Sequence, residues 1–99
     1  MLTLETGFVW LGSRYGWHMI VHIHFYSYFK ELTGTAEAVQ EISEGATLGA
    51  LHGQLLVRFP KLEPMRKSTL LAVGVEYQGQ DYVLQPGDNV SLFPPVQGG

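Results

Sequence analysis

From residue 20 onward the chain runs in short blocks of alternating apolar and polar positions, and one block switches to a helical period. Residues 20–26 place Val21, Ile23 and Phe25 on one side and His22 and His24 on the other, which predicts a half-buried strand. Ser27 suits the N-cap of one or two helical turns over residues 28–33, and Gly34 stops them. In residues 36–42, Ala36, Ala38, Gln40 and Ile42 oppose Glu37, Val39 and Glu41, which predicts a half-exposed strand. So short a connection makes it an antiparallel neighbour of the first. Glu44-Gly45 is a turn, and Thr47 is a good N-cap for the main helix over residues 48–59. There Leu48, Leu51, Leu55 and Phe59 form a single apolar stripe. Gly49 and Gly53 each cost that helix up to about 1 kcal/mol relative to Ala, so it depends on docking against a sheet.

Pro60 closes the helix, and residues 61–68 read as a polar loop containing Pro64. Residues 70–75 are the most apolar block and are expected at the centre of the sheet. Turns at Gln78-Gly79-Gln80 and Pro86-Gly87-Asp88 bracket a short strand at 82–84. Residues 89–93 make the last strand, with Val90 and Leu92 on one side and Ser91 and Phe93 on the other. The order strand, strand, helix, strand, short strand, strand argues for an α+β fold. It predicts a mixed sheet of about five strands with one main helix packed on one face. A helical crossover between the first and last strands lets them lie parallel at the centre. This is the β-grasp arrangement.

Ninety-nine residues make one small domain, with 45% hydrophobic residues and a charged content of only 15%. The absence of cysteine excludes disulfides, cysteine nucleophiles and thiolate metal sites in this chain. A net charge of −3 without runs of like charge gives no basic face for nucleic acid. No apolar stretch approaches the roughly 20 residues of a membrane span. Residues 1–18, with Gly7, Gly12, Gly16, Glu5 and Arg14, lack the order of a secretory signal. They read as an appendage to the functional domain 19–99: an extra hairpin, a disordered arm, or sequence upstream of a start set too early.

Candidate chemistry in the body of the chain is sparse. His22 and His24 could place two imidazoles on one metal, but no third ligand accompanies them, since His52 lies on the helix; two polar residues on an exposed sheet face explain them better. Tyr26, Tyr28 and Phe29 read as core aromatics at a strand end rather than a platform for bases. Glu37, Glu41 and Glu44 are spaced as the wet face of an edge strand and its turn. There is no serine–histidine–acid set, no Walker loop and no GxGxxG.

The C-terminus is different. Phe93, Pro94, Pro95, Val96, Gln97, Gly98 and Gly99 run from an apolar strand end through two prolines to a bare diglycine. The prolines keep the base of this flexible tail, residues 94–99, extended. Gly98 and Gly99 have no Cβ, so another protein can close around the backbone. Six residues reach about 20 Å. Phe93 is predicted to face outward beside the tail as part of a docking patch, unless residues 1–18 cover it.

Residues 19–99 resemble the MoaD-like small subunits of molybdopterin synthase, sulfur carriers of the MoaD/ThiS superfamily within the ubiquitin-like β-grasp group. The resemblance rests on Phe29-Lys30-Glu31-Leu32-Thr33-Gly34, on Thr47-Leu48 with Leu51, and on Leu84-Gln85-Pro86-Gly87-Asp88-Asn89-Val90. Its specific part is the ending from Phe93 to Gly99. The resemblance implies a non-catalytic co-substrate in molybdenum cofactor biosynthesis. A ubiquitin-activating-like adenylyltransferase, using Mg-ATP, would adenylate the Gly99 carboxylate. A persulfide enzyme would convert the adenylate to a thiocarboxylate. The tail, with Phe93 to Gly98 as the partner-binding stretch, would enter the large subunit of molybdopterin synthase, where the sulfur is given to the pterin precursor. No cofactor or metal would be held by the chain itself, no nucleic acid or membrane would be a partner, and the setting would be cytoplasmic. Two features depart from the pattern: residues 1–18, and Gly74 where many relatives have Asn. The competing readings are a ThiS-like carrier for thiamine synthesis, a ubiquitin-like protein modifier and an inert interaction domain. The Pro94-Pro95 pair and the long loop after the helix favour molybdopterin over thiamine.

Overall fold

The first alternating block folds as the longest strand, and the other elements are arranged around it. The computed structural model describes residues 2–3, 7–12 and 16–95. In chain order the elements are β1 (Leu2–Thr3), β2 (Phe8–Trp10), β3 (Trp17–Phe25), α1 (Phe29–Thr33), β4 (Glu37–Ser43), α2 (Leu48–Arg58), a 3-10 helix (Pro60–Met65), β5 (Leu70–Val73), β6 (Glu76–Tyr77) and β7 (Asn89–Phe93). Strands β3 and β7 pair in parallel, with Ile23 beside Val90 and Phe25 beside Leu92. Strand β4 lies antiparallel on the far edge of β3, and β5 lies antiparallel on the far edge of β7. The mixed sheet with parallel central strands is therefore the expected one.

Period-two burial explains the layering. Met19, Val21, Ile23 and Phe25 of β3 are buried on the face that meets Ile42, Val90 and Leu92. Leu48, Leu51 and Leu55 of α2 close that core from above. Each such side chain contributes about 1.5–3 kcal/mol on full burial. Phe59 ends the stripe at the rim, edge-on to Phe25 with centroids 5.2 Å apart.

Several elements differ from expectation. The most apolar block is not central: β5 pairs with β7 on one side and only with the two-residue β6 on the other. Apolarity there comes from the core face, while Leu70 and Val75 are exposed. Residues 82–84 do not form a sheet strand. Their backbone turns instead to the start of α2, where Leu48 N–H donates to Tyr82 O and Gly49 N–H to Gln80 O. This satisfies donors that no helix can satisfy internally. Thr47 caps as expected, its Oγ1 accepting from Ala50 N–H at 3.2 Å. Ser27 does not cap α1; it sits at φ 57° and Tyr28 takes the cap position without a side-chain bond. Part of the polar loop is the 3-10 helix, which inserts Leu62 into the core.

Residues 1–18 contribute β1 and β2. Strand β2 pairs with Trp17, His18 and Met19, so β3 begins before the composition break at Met19. It occupies the same edge of β3 as β7, end to end with it. Gly7 lies against the Pro86 turn so closely that an added Cβ would sit 2.7 Å from Pro86 Cβ.

Candidate functional site

The tail leaves from the middle of the sheet. Strand β7 is held on one side by β3 and on the other by β5, up to the pairs Phe25–Leu92 and Leu70–Phe93. Tyr26 N–H donates to Leu92 O just past the end of β3. Pro94 and Pro95 lack N–H donors, so neither can extend the ladder. Pro94 and Pro95 are half-buried. Val96, Gln97, Gly98 and Gly99, named from the sequence as tail residues, lie outside the described residues.

Phe93 does face away from the helix, on the same side as Ser91, Leu70 and Tyr26. It is half-buried, and other aromatics provide the cover. Tyr26 stacks on it, and Tyr77 meets it edge-on with centroids 6.3 Å apart. Residues 1–18 do not supply this cover through β2, which pairs at the Trp17 end of β3. Met19 and Phe25 are six residues apart on an extended strand, about 20 Å. Tyr26 and Tyr77 keep 42% and 69% of their surface exposed, and Leu70 keeps 36%. The result is an apolar patch of Tyr26, Leu70, Tyr77 and Phe93 at the root of the tail. Tyr26 was placed in the core by sequence. Its position just past the buried parity of β3 was the available signal. Nothing local marks Tyr77, because β6 is defined by its pairing with β5.

The rest of the open face is mixed, with Ile20 and Val39 exposed among histidines and carboxylates. His24 Nε2 lies 3.1 Å from Asn89 Oδ1, and its Nδ1 lies 3.4 Å from Glu37. His18 Nδ1 is 2.9 Å from Glu41. His22 is exposed beside them. His18 and His24 are thus tied to carboxylates and an amide; among the described residues no group of three or more histidine, cysteine or acidic side chains is placed to hold a metal. Tyr28 is half-buried and Phe29 is fully buried, so neither offers a face for stacking a base. No helix among the described residues is long and apolar enough to cross a membrane.

The turn before β7 is built around Asp88. Its carboxylate accepts from Gln85 N–H at 2.9 Å and from Tyr82 Oη at 3.0 Å. Burial raises the Tyr82 phenol above its ordinary value, and the hydrogen bond to Asp88 adds to that. Gly74 has φ 62°, a left-handed conformation that Asn tolerates best among side-chain-bearing residues. The glycine that departs from the resemblance at this position suits that conformation.

A mixed sheet with parallel central strands, a crossing helix and a last strand that carries the C-terminal segment out from the middle defines a ubiquitin-like β-grasp domain. The chain belongs to the ThiS family, whose model matches residues 23–99. The molybdopterin synthase sulfur carrier subunit of Arabidopsis thaliana is 31% identical over 70 residues, 71% of this chain and 73% of that one. A Pyrococcus furiosus structure, provisionally assigned as subunit 1 of a molybdopterin converting factor, matches with a TM-score of 0.72 at 28% identity, covering 78% of this chain and 98% of that one. A structure of subunits 1 and 2 of the molybdopterin-converting factor of Helicobacter pylori contains a chain matching at a TM-score of 0.61 and 23% identity, covering 82% of this chain and all of that one. At that identity the likeness concerns the fold.

Proposed function

We propose that this chain is the sulfur carrier subunit of a molybdopterin synthase. The observation that carries the reading is the family membership of residues 23–99 joined to relatives that bear this name. The chemistry is that of the Gly99 carboxylate. A carboxylate is a poor electrophile until activated, so an adenylyltransferase with Mg-ATP forms the acyl adenylate and releases pyrophosphate. The terminal sulfur of a persulfide attacks the acyl carbon and AMP leaves. A thiol then reduces the acyl disulfide, freeing the thiocarboxylate. This places the chain in the cytoplasm, where ATP is at hand. The large subunit binds the Tyr26–Leu70–Tyr77–Phe93 patch and receives residues Pro94 to Gly99; the paired subunits of the Helicobacter pylori factor support such an assembly.

Intact mass of the natively expressed protein tests the reading. Exchange of one oxygen for sulfur at the C-terminus is expected when the activating enzyme and a sulfur donor are present. An unchanged mass with both present, or adducts to other proteins in place of sulfur, overturns it.

A further inference from the structure

A second site lies at the sheet edge, next to the Leu70 and Tyr77 end of the patch. A cavity of about 230 Å³ opens between α2, the turn after the 3-10 helix and the β5–β6 hairpin. His52, Arg66, Lys67, Thr69, Gln78 and Gln80 line it, and no carboxylate does. His52 keeps only 4% of its surface exposed, and its Nε2 is buried with no hydrogen-bond partner. An unmade hydrogen bond on a buried polar atom costs the full desolvation of that atom, and such an atom asks for a partner.

Cationic side chains stand at the rim. Arg66 donates from Nε and Nη2 to both oxygens of Glu63, at 2.9 and 3.0 Å, which leaves Nη1 without a partner among the described residues. Lys67 has no ion pair among the described residues. Arg66 and Lys67 stand against Glu63 and Asp81, whose Oδ1 lies beside Gly79 of the lining, so unpaired donors rather than a net charge mark this spot. Burial lowers the His52 pKa, and the nearby Arg66 charge lowers it further while Glu63 opposes. A neutral imidazole facing a cationic rim gains a proton more readily when an anion arrives.

We propose that this cavity binds a small oxyanion of the phosphate class. The volume falls below the roughly 300–1,000 Å³ of pockets that enclose drug-sized ligands. Liquid water takes about 30 Å³ per molecule, so the space suits a phosphoryl group with its hydration rather than a whole nucleotide. Arg66 and Lys67 supply charge, Gln78 and Gln80 supply amide donors, and His52 lies in the wall with its Nε2 buried behind the surface. Leu70 and Tyr77 join the cavity to the docking patch, but phosphate binding is read on the chain alone and stands or falls whatever becomes of the sulfur-carrier reading.

The test is an NMR titration of the histidine ring signals of the full chain, in inorganic phosphate and in chloride at matched ionic strength. Phosphate is expected to shift the His52 signals saturably and to raise its apparent pKa, while the His22 and His24 signals are the same in both anions. Lys67→Gln and Arg66→Gln are each expected to weaken phosphate about fivefold, the upper range for one exposed charge. Both positions are exposed, so folding is not at stake. AMP is the second probe: the same His52 signature assigns the site to phosphomonoesters, and no response assigns it to the free ion. A His52 titration that is identical in phosphate and chloride overturns the proposal. So does a phosphate effect shared equally by all four histidines, or one that survives both substitutions unchanged.

Discussion

The rings of Tyr26 and Phe93 lie stacked, with centroids 4.6 Å apart and planes 10° from parallel. Tyr26 follows the last residue of one central strand and Phe93 ends the other, so the stack clamps the tip of the parallel pair at the point where the tail departs. The same rings leave one flank to solvent, which gives the patch both rigidity and a surface to offer.

Phe93→Ala separates these roles. Its half-burial and the stack predict a stability loss of about 1–2 kcal/mol. A core phenylalanine would lose about 3–5 kcal/mol. Affinity for the large subunit is expected to fall by about 2 kcal/mol or more, as for a buried aromatic at an interface centre. Thermal melting and a binding titration on the same variant decide it; a core-sized melting loss with unchanged affinity refutes the docking role.

The Gly99 carboxylate sets a length requirement. Deleting Gly99 shortens the reach by about 3.3–3.6 Å. A misplacement of about 1 Å in a reacting group already costs roughly 10²-fold. Adding one residue puts the wrong carboxylate at the end. Both variants are expected to melt like the parent and to fail in adenylation and sulfur loading with a cognate activating enzyme. Normal loading of either contradicts the mechanism.

Removing residues 1–16 tests the hairpin while leaving β3 whole. Phe8 packs against the core, so a loss of about 1–2 kcal/mol is expected. The hairpin lies at the end of β3 opposite the tail, so sulfur loading should be retained. A chain that no longer melts cooperatively, or that melts normally but cannot be loaded, shows the hairpin to be required.

The two helix glycines should respond differently to alanine. A Cβ on Gly53 meets nothing within 4 Å, so Gly53→Ala is expected to stabilise by about 0.5–1 kcal/mol. A Cβ on Gly49 would lie 3.0 Å from Gln80 Cβ and 3.2 Å from Gln80 O. Gly49→Ala is expected to lose that gain, because the crowded segment also carries the bonds that finish the helix. Denaturant midpoints of the two variants give the comparison; an equal gain at both sites disproves the close-approach argument.

His52 makes stability depend on pH. Its folded pKa lies below the ordinary 6.5, so the unfolded chain binds the proton more readily. The contribution is whole above that ordinary value and is lost as pH falls towards the folded one. Urea midpoints measured downward from pH 7 should therefore fall more steeply for the parent than for His52→Gln. Parallel curves would show that His52 is not titrating in this way.

The sequence alone determined whatever depends on neighbours in the chain. The alternation of β3 and β4, the Leu48–Leu51–Leu55 stripe, the Thr47 cap and the Gly34 stop follow from periods of 2 and 3.6 and from local capping chemistry. The parallel centre followed from element order and crossover rules. Tertiary structure decided where a segment had two possible hydrogen-bond partners, or where a surface needed contributions from several elements. Residues 80–84 could extend a sheet or finish a helix, and the unmet donors of Leu48 and Gly49 drew them to the helix. Residues 70–73 are as apolar as a central strand, yet β7 took the centre because only it can pair with both β3 and β5. The Tyr26–Phe93–Tyr77 patch and the His52–Arg66–Lys67 cavity each join residues from three elements. No local pattern encodes such meetings, because they exist only once the sheet has fixed its register and the helix has docked on one face.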